Sequence, residues 1–327
     1  MGKERNYHFD NIKALLILLV VMGHICSKFD GGAAAGVTYK IIFSFHIPCF
    51  IFVSGYFAKY NPKKTIGRLL PLYVVFQLVE YVETGIISLI KSGVWRPSEA
   101  HIFFKSNFAM WYLLALMIYG LLIPLFDTKD AKKRIFVIAV AFALGMGIGF
   151  AETGGVLSLS RVFVFLPYFI IGYYEKDARI LTSAKKNHPL LCKITAIVIF
   201  TATAVIIALF SKEINHRIFL AKDVFGDTNT PWQRLITWGL GLCGIYWIYM
   251  LVPERKLPLV SDVGKNTLSV YLIHAPLILA LIETPVYDIV RASYFGMWAF
   301  AVALTLVLSR VKLSPKLSLI AFTKKSC

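Results

Sequence analysis

The chain has 327 residues, 57% of them hydrophobic and 16% charged, with a mean hydropathy of +0.68. A soluble domain carries about a quarter charged residues, so this composition excludes an ordinary water-soluble fold. The formal net charge of +17 does not mark a nucleic-acid binder, because lysine and arginine crowd the cytoplasmic loops of membrane proteins, and no nucleic-acid partner is expected.

Ten apolar runs predict helices over residues 12–28, 39–58, 68–90, 109–126, 135–151, 156–174, 191–211, 235–252, 267–284 and 295–311. Each is near the roughly 20 residues needed to cross the hydrocarbon. The expected fold is an all-α polytopic membrane protein with about ten transmembrane helices. It forms one domain over 1–327, with a helical core at about 8–311 and a basic tail at 312–327.

The first run, FDNIKALLILLVVMGHICSKF, has the basic start and apolar middle of a secretory signal. Lys13 interrupts the start of the run, and MGHICSKF offers no small-x-small cleavage site, so the segment is expected to be retained. A charge inside a span costs about 2.5–3.5 kcal/mol on insertion scales, so Asp10, Lys13 and His24 need a reason. Lys13 and His24 are eleven residues apart, which at about 100° and 1.5 Å per residue puts them on one face, roughly 16 Å apart along the axis. Asp10 lies one turn before Lys13 and is placed to pair with it. A snorkelling lysine and a histidine bonded to a neighbouring helix account for these residues as well as a functional face does.

The second run, FSFHIPCFIFVSGYF, places His46 at a depth similar to His24, with Pro48 freeing a backbone carbonyl and Ser54 and Gly55 permitting close helix contact. On its own, His46 is more simply an interhelical hydrogen bond than a catalyst. In the third run Glu80 is the deeper of two carboxylates, Glu80 and Glu83, and is a partner for membrane cations or an orienter of a histidine. The apolar stretch 162–174 is only 13 residues long, too short to span. The sixth span therefore begins near Val156 and contains Arg161 towards its outer end, where snorkelling competes with an anion or sugar contact. His274 stands near the end of GKNTLSVYLIHAP in the ninth span. The tail LSPKLSLIAFTKKSC reads as a short basic interfacial helix. The five cysteines form no CxxC pair; Cys26, Cys49 and Cys243 fall in apolar stretches and read as small buried hydrophobes, and no metal site is expected.

With the N-terminus inside, twenty-three lysines and arginines fall in inside segments and eleven in outside segments, which puts both termini in the cytoplasm. The longer outside segments, 91–108 and 211–234, suggest recognition on that side. Several histidines with an arginine suit either acid–base group transfer or proton-coupled secondary transport through His24, His46, His274 and Glu80. Periodicity does not choose between them, though the sequence shows no internal repeat of the kind transporters often carry.

At these residues the sequence resembles the acyltransferase-3 family of integral membrane acyltransferases, particularly its fucose 4-O-acetylase-like members. The family pattern of an aspartate, a basic residue, ten residues and a histidine is matched by Asp10, Lys13 and His24. Many relatives carry arginine where this chain has Lys13. FHIPCFIFVSGYF, RLLPLY, MWYLLAL, LSLSRVFVFLPYFIIGYY and GKNTLSVYLIHAP resemble later blocks in the right order, over about residues 8–311.

The resemblance implies a ten-helix membrane fold in the bacterial plasma membrane. It implies transfer of an acyl group, acetyl by default, from cytoplasmic acyl-CoA to a hydroxyl of an envelope glycan or its lipid-linked precursor, with no tightly bound cofactor. It makes Asp10, Lys13 and His24 the expected catalytic set. Arg68, Arg161, His46, His274, Tyr271, Glu80 and Trp111 are expected substrate or acyl-CoA contacts. Lysine at position 13 is a point charge and not a bidentate phosphate clamp. Lys13, Lys63, Lys64, Arg68 and the 129–134 cluster would supply a cationic field for CoA, and His24 would act as general base or become acylated. A different membrane O-acyltransferase fold predicts nearly the same activity.

Overall fold

The computed structural model describes residues 6–28, 32–97, 104, 106, 109–153, 155–226 and 229–312. Among these, the regular structure is all helical, with no strand and only an isolated bridge between Gly226 and Asn229. The helices are α1 (Tyr7–Lys28), α2 (Gly32–Phe57), α3 (Pro62–Ser92), α4 (Trp111–Phe126), α5 (Ala131–Gly147), α6 (Leu159–Ala178), α7 (Ile180–Asn187), α8 (Pro189–Leu209), α9 (Pro231–Leu251), α10 (Val260–Lys265), α11 (Thr267–Leu281), α12 (Val286–Arg291) and α13 (Tyr294–Arg310).

Seven helical segments are long and apolar enough to cross a membrane, and α4, α11 and α13 are shorter apolar helices of 16, 15 and 17 residues. These ten occupy the ten expected runs, and the chain is an all-α polytopic membrane protein. The three short ones cover roughly 22–26 Å at 1.5 Å per residue. Residues 313–327, read from sequence as an interfacial helix, lie outside the described residues.

The bounds differ from the sequence expectation where a cap decides them. α3 starts at Pro62, six residues before the expected span, because the Asn61 side chain accepts from the Lys64 amide at 2.9 Å and proline suits the first helical position. α9 opens on a capping box formed by Thr230 and Gln233. α6 begins abruptly, after two consecutive residues with left-handed backbone, Leu157 (φ 48°) and Ser158 (φ 49°). Glu175 closes the turn at the other end of α6, where its carboxylate accepts from the amides of Ile180, Leu181 and Thr182 and caps α7.

The core is built around α1 and α2. Leu16, Val21, Met22 and Ile25 of α1 are fully buried. α3, α5 and α8 lie at the periphery, with Leu78, Val82 and Ile86 of α3 and Ile194, Ile197 and Val205 of α8 exposed as a lipid-facing surface. α2 and α6 touch backbone to backbone. A methyl group on Gly55 would run into the Phe169 carbonyl, and one on Gly172 would run into the Phe52 carbonyl. This reciprocal contact holds two walls of the site in register.

Candidate active site

α1 and α2 supply the spine of the site. Lys13, Ile17, Val20, His24 and Lys28 recur at three- or four-residue intervals along one face of α1, and all five line a cavity of about 1200 Å³. On α2 the lining positions run from Tyr39 to Phe57, roughly 27 Å of helix, close to the thickness of the hydrocarbon core of a bilayer. The cavity exceeds the roughly 300–1,000 Å³ that takes one drug-sized ligand.

The lining changes character along its length. At the Lys13 end stand Lys13, Lys59, Lys64 and Arg68, with the start of α3 beside them. The middle is apolar and aromatic, with Val20, Phe50, Val53, Leu116 and Phe169. A polar step interrupts it where the Tyr112 hydroxyl meets Ser54 Oγ at 2.8 Å. The far end holds His24, His46, Lys28, Arg161 and Lys222. Seven lysines and arginines line the cavity and, among the described residues, no aspartate or glutamate does.

At the Lys13 end, the Lys13 ammonium pairs with the Asp10 carboxylate at 2.9 Å. Asp10 is buried, and the backbone of α10 presses on it: a methyl group on Gly264 would strike the Asp10 carbonyl. Asn11 ties the same turn down, donating to the carbonyls of Pro253 and Arg255 and accepting from Ser261 Oγ. This Asp10–Lys13 turn is therefore fixed by α10 and the segment before it.

At the far end three imidazoles gather. His46 Nδ1 sits 2.7 Å from the Ile42 carbonyl; a carbonyl only accepts, so Nδ1 carries the proton and the neutral ring keeps its lone pair on Nε2. His274 is fixed the same way, with Nδ1 2.9 Å from the Val270 carbonyl. His24 lies between them in the packing. Its ring centroid is 5.1 Å from that of His274 and 6.1 Å from that of Phe43, which packs on His46 at 4.6 Å. Arg161 does not snorkel freely. Its Nε donates to the Leu220 carbonyl at 3.1 Å, and its guanidinium lies over Trp111, 5.0 Å from the ring centroid.

Seven of the ten sequence-expected site residues therefore line one cavity: Lys13, His24, His46, Arg68, Trp111, Arg161 and Tyr271. Asp10 supports Lys13 from outside the lining, and His274 stands behind His24. Tyr271 donates from its hydroxyl to the Ala109 carbonyl and packs on Tyr112. Glu80 stands apart. It does not line the cavity, neither Nδ1 of His46 nor Nδ1 of His274 turns to it, and its Oε1 is buried without a hydrogen bond.

Of the basic cluster 129–134, none reaches the lining, and Arg134 turns to Asp177 at 3.5 Å. Lys63 also stays outside the lining, whereas Lys59 and Lys64 enter it. The sequence reading did not mark Tyr39, Tyr112 or Lys222 as site residues. Among the described residues no three His, Cys, Asp or Glu side chains group to hold a metal ion.

The family model described as an acyltransferase domain matches residues 6–311. The chain belongs to the acyltransferase-3 family. No curated protein and no solved structure gives a significant match to it. In this membrane acyltransferase, Lys13 and His24 line the wall of a single cavity, with the cation at one end and the imidazole at the other, and Asp10 pairs with Lys13 from behind the lining.

Proposed function

We propose that this acyltransferase is an O-acetyltransferase that moves an acetyl group from cytoplasmic acetyl-CoA to a hydroxyl of a cell-envelope carbohydrate or its lipid-linked precursor. The observation that carries this reading is the single cavity lined by Lys13 at one end and His24 at the other. CoA is highly anionic at its nucleotide end and thin and mostly apolar along its pantetheine arm. The Lys13, Lys59, Lys64 and Arg68 end suits the first, and the Val20, Phe50, Val53 and Phe169 stretch suits the second. The thioester then lies near His24, roughly 16 Å along α1 from Lys13. In this reading the Lys13 end faces the cytoplasm of a bacterial plasma membrane, with both chain termini on that side.

In this mechanism a neutral His24 takes the proton of the acceptor hydroxyl as the oxygen attacks the acetyl carbonyl carbon. A carbon–oxygen bond forms, the carbon–sulfur bond breaks, and CoA leaves as a thiolate that recovers the proton. Acylation of His24 itself, followed by transfer, uses the same geometry. Membranes containing His24→Ala should hold normal amounts of the protein and transfer no label from labelled acetyl-CoA to envelope glycan. Normal transfer by this variant rejects the mechanism. The fucose 4-O-acetylase-like character belongs to this proposal too, and mass spectrometry of the glycan from a deletion strain would identify the acceptor by the acetyl group it loses.

A further inference from the structure

The far end of the cavity carries more positive charge than a plain hydroxyl acceptor requires. Lys28 from the end of α1, Arg161 from α6 and Lys222 from the segment between α8 and α9 all line it. The neighbouring carboxylate, Asp223, is already engaged: Arg217 donates to it from Nε and Nη2 at 2.9 Å each and holds its carboxyl below the usual range. Arg161 is presented as a fixed fork. Its Nε is held by Leu220 and its plane lies on Trp111, which stacks on Phe165 at 5.5 Å. Among the described residues no group takes a hydrogen bond from its Nη atoms, and the side chain lines the cavity. A planar fork of this kind matches a carboxylate or phosphate with two parallel hydrogen bonds. Tyr39 and Phe43, stacked at 4.0 Å, form a flat wall in the same chamber.

We propose that this outer chamber is an anion subsite: the acceptor carries an oxyanion that the Arg161 fork seats, with Lys28 and Lys222 adding charge. The oxyanion is either the carboxylate of an acidic sugar or the phosphate of a sugar–phosphate linkage. Seating it there delivers a neighbouring hydroxyl of the same acceptor to His24. The inference rests on the acetyl-transfer reading for the donor end of the cavity, but the anion subsite itself is measurable without turnover.

The test uses the purified full chain in detergent and three probes on one ring: methyl glucoside, methyl glucuronide and glucose 1-phosphate. Binding is measured by calorimetry in the absence of acetyl-CoA. At least one anionic probe should bind roughly 10- to 100-fold more tightly than the neutral one, the range expected for hydrogen bonds to a charged group, and rising ionic strength should weaken it. Preference for the glucuronide assigns an acidic sugar, and preference for the phosphate assigns a phosphate-linked one. Arg161→Gln should abolish the preference, and Lys222→Gln should reduce it several-fold. Arg161→Lys, which keeps the charge and loses the fork, should retain only part of it and serves where Arg161→Gln does not fold. Equal binding of all three probes, or a preference that survives in the folded Arg161 variants, overturns the subsite. Arg161-dependent anion binding without any acetyl transfer from acetyl-CoA leaves the subsite standing and overturns the donor reading. Acetyl transfer with no anion preference does the reverse.

Discussion

His274 stands directly behind His24. Their ring centroids are 5.1 Å apart at an interplanar angle of 37°. With Nδ1 of His274 committed to Val270, its Nε2 is a buried acceptor without a hydrogen-bond partner among the described residues. If His24 takes a proton from the acceptor, it gains an N–H beside that waiting lone pair. An acceptor already in place when charge develops stabilises the transition state more than the ground state.

His274→Ala is therefore expected to lower kcat roughly 10- to 100-fold, within the range of acid–base and positioning effects, with little change in KM for acetyl-CoA. His274→Gln, which restores an acceptor, should recover part of the loss. Steady-state kinetics on the two variants checks this; equal losses in His274→Ala and His274→Gln remove the acceptor role of His274.

The helical arithmetic on α1 was enough to place Lys13 and His24 in the same cavity wall, because a helix fixes the angle between any two of its residues. The ten apolar runs were legible for a similar reason: lipid demands an unbroken apolar length. Helix ends were harder. Lys63 and Lys64 look like loop residues, yet the Asn61 cap draws them into α3. The Ser54–Tyr112 contact joins residues 58 apart in the chain, and no local pattern announces it. Depth alone makes Glu80 a partner for the membrane cations, but depth does not fix which way a side chain faces, and Glu80 does not line the cavity. Lys222 reaches the chamber from a loop with no period to read.

Lys13 and Asp10 form the pair that sets the donor end. Lys13 is partly exposed to the cavity, whereas Asp10 is almost fully enclosed under Gly264. Lys13→Arg should keep activity and bind acetyl-CoA at least as tightly, since a guanidinium engages phosphate oxygens with two bonds. Lys13→Ala should raise KM for acetyl-CoA on the order of 10-fold, as expected for loss of one charge-assisted contact. Asp10→Asn should also raise KM, by releasing the ammonium from its fixed position. KM values for acetyl-CoA across this series decide the matter; unchanged values throughout remove Lys13 from donor binding.

Lys59, Lys64 and Arg68 surround the same mouth and are expected to act as a field more than as individual contacts. KM for acetyl-CoA should rise with ionic strength while kcat stays level, because salt screens charges farther apart than about 8–10 Å. Lys64→Gln and Arg68→Gln should each flatten this salt dependence. Lys129→Gln and Lys132→Gln, outside the lining, should not. Salt titrations of KM for the four variants test the assignment, and equal slopes for all four would reject it.

The backbone contact between α2 and α6 makes a prediction about stability. Gly55→Ala puts a methyl group into the Phe169 carbonyl, and Gly172→Ala puts one into the Phe52 carbonyl. Neither obstacle is a flexible side-chain tip, so the helices must separate. Overpacking typically costs about 1–3 kcal/mol, and a backbone obstacle belongs at the upper end. The same separation widens the cavity between Phe50, Phe165 and Phe169, which line it from these two helices. Each variant should therefore lose thermal stability in detergent and lose transfer activity faster than it loses folded protein. Gly239 of α9 is the control, since a methyl group there meets nothing within 4 Å. Gly239→Ala should leave both stability and activity unchanged. A Gly55→Ala protein as stable and active as the Gly239→Ala control would show that α2 and α6 can part without consequence for the site.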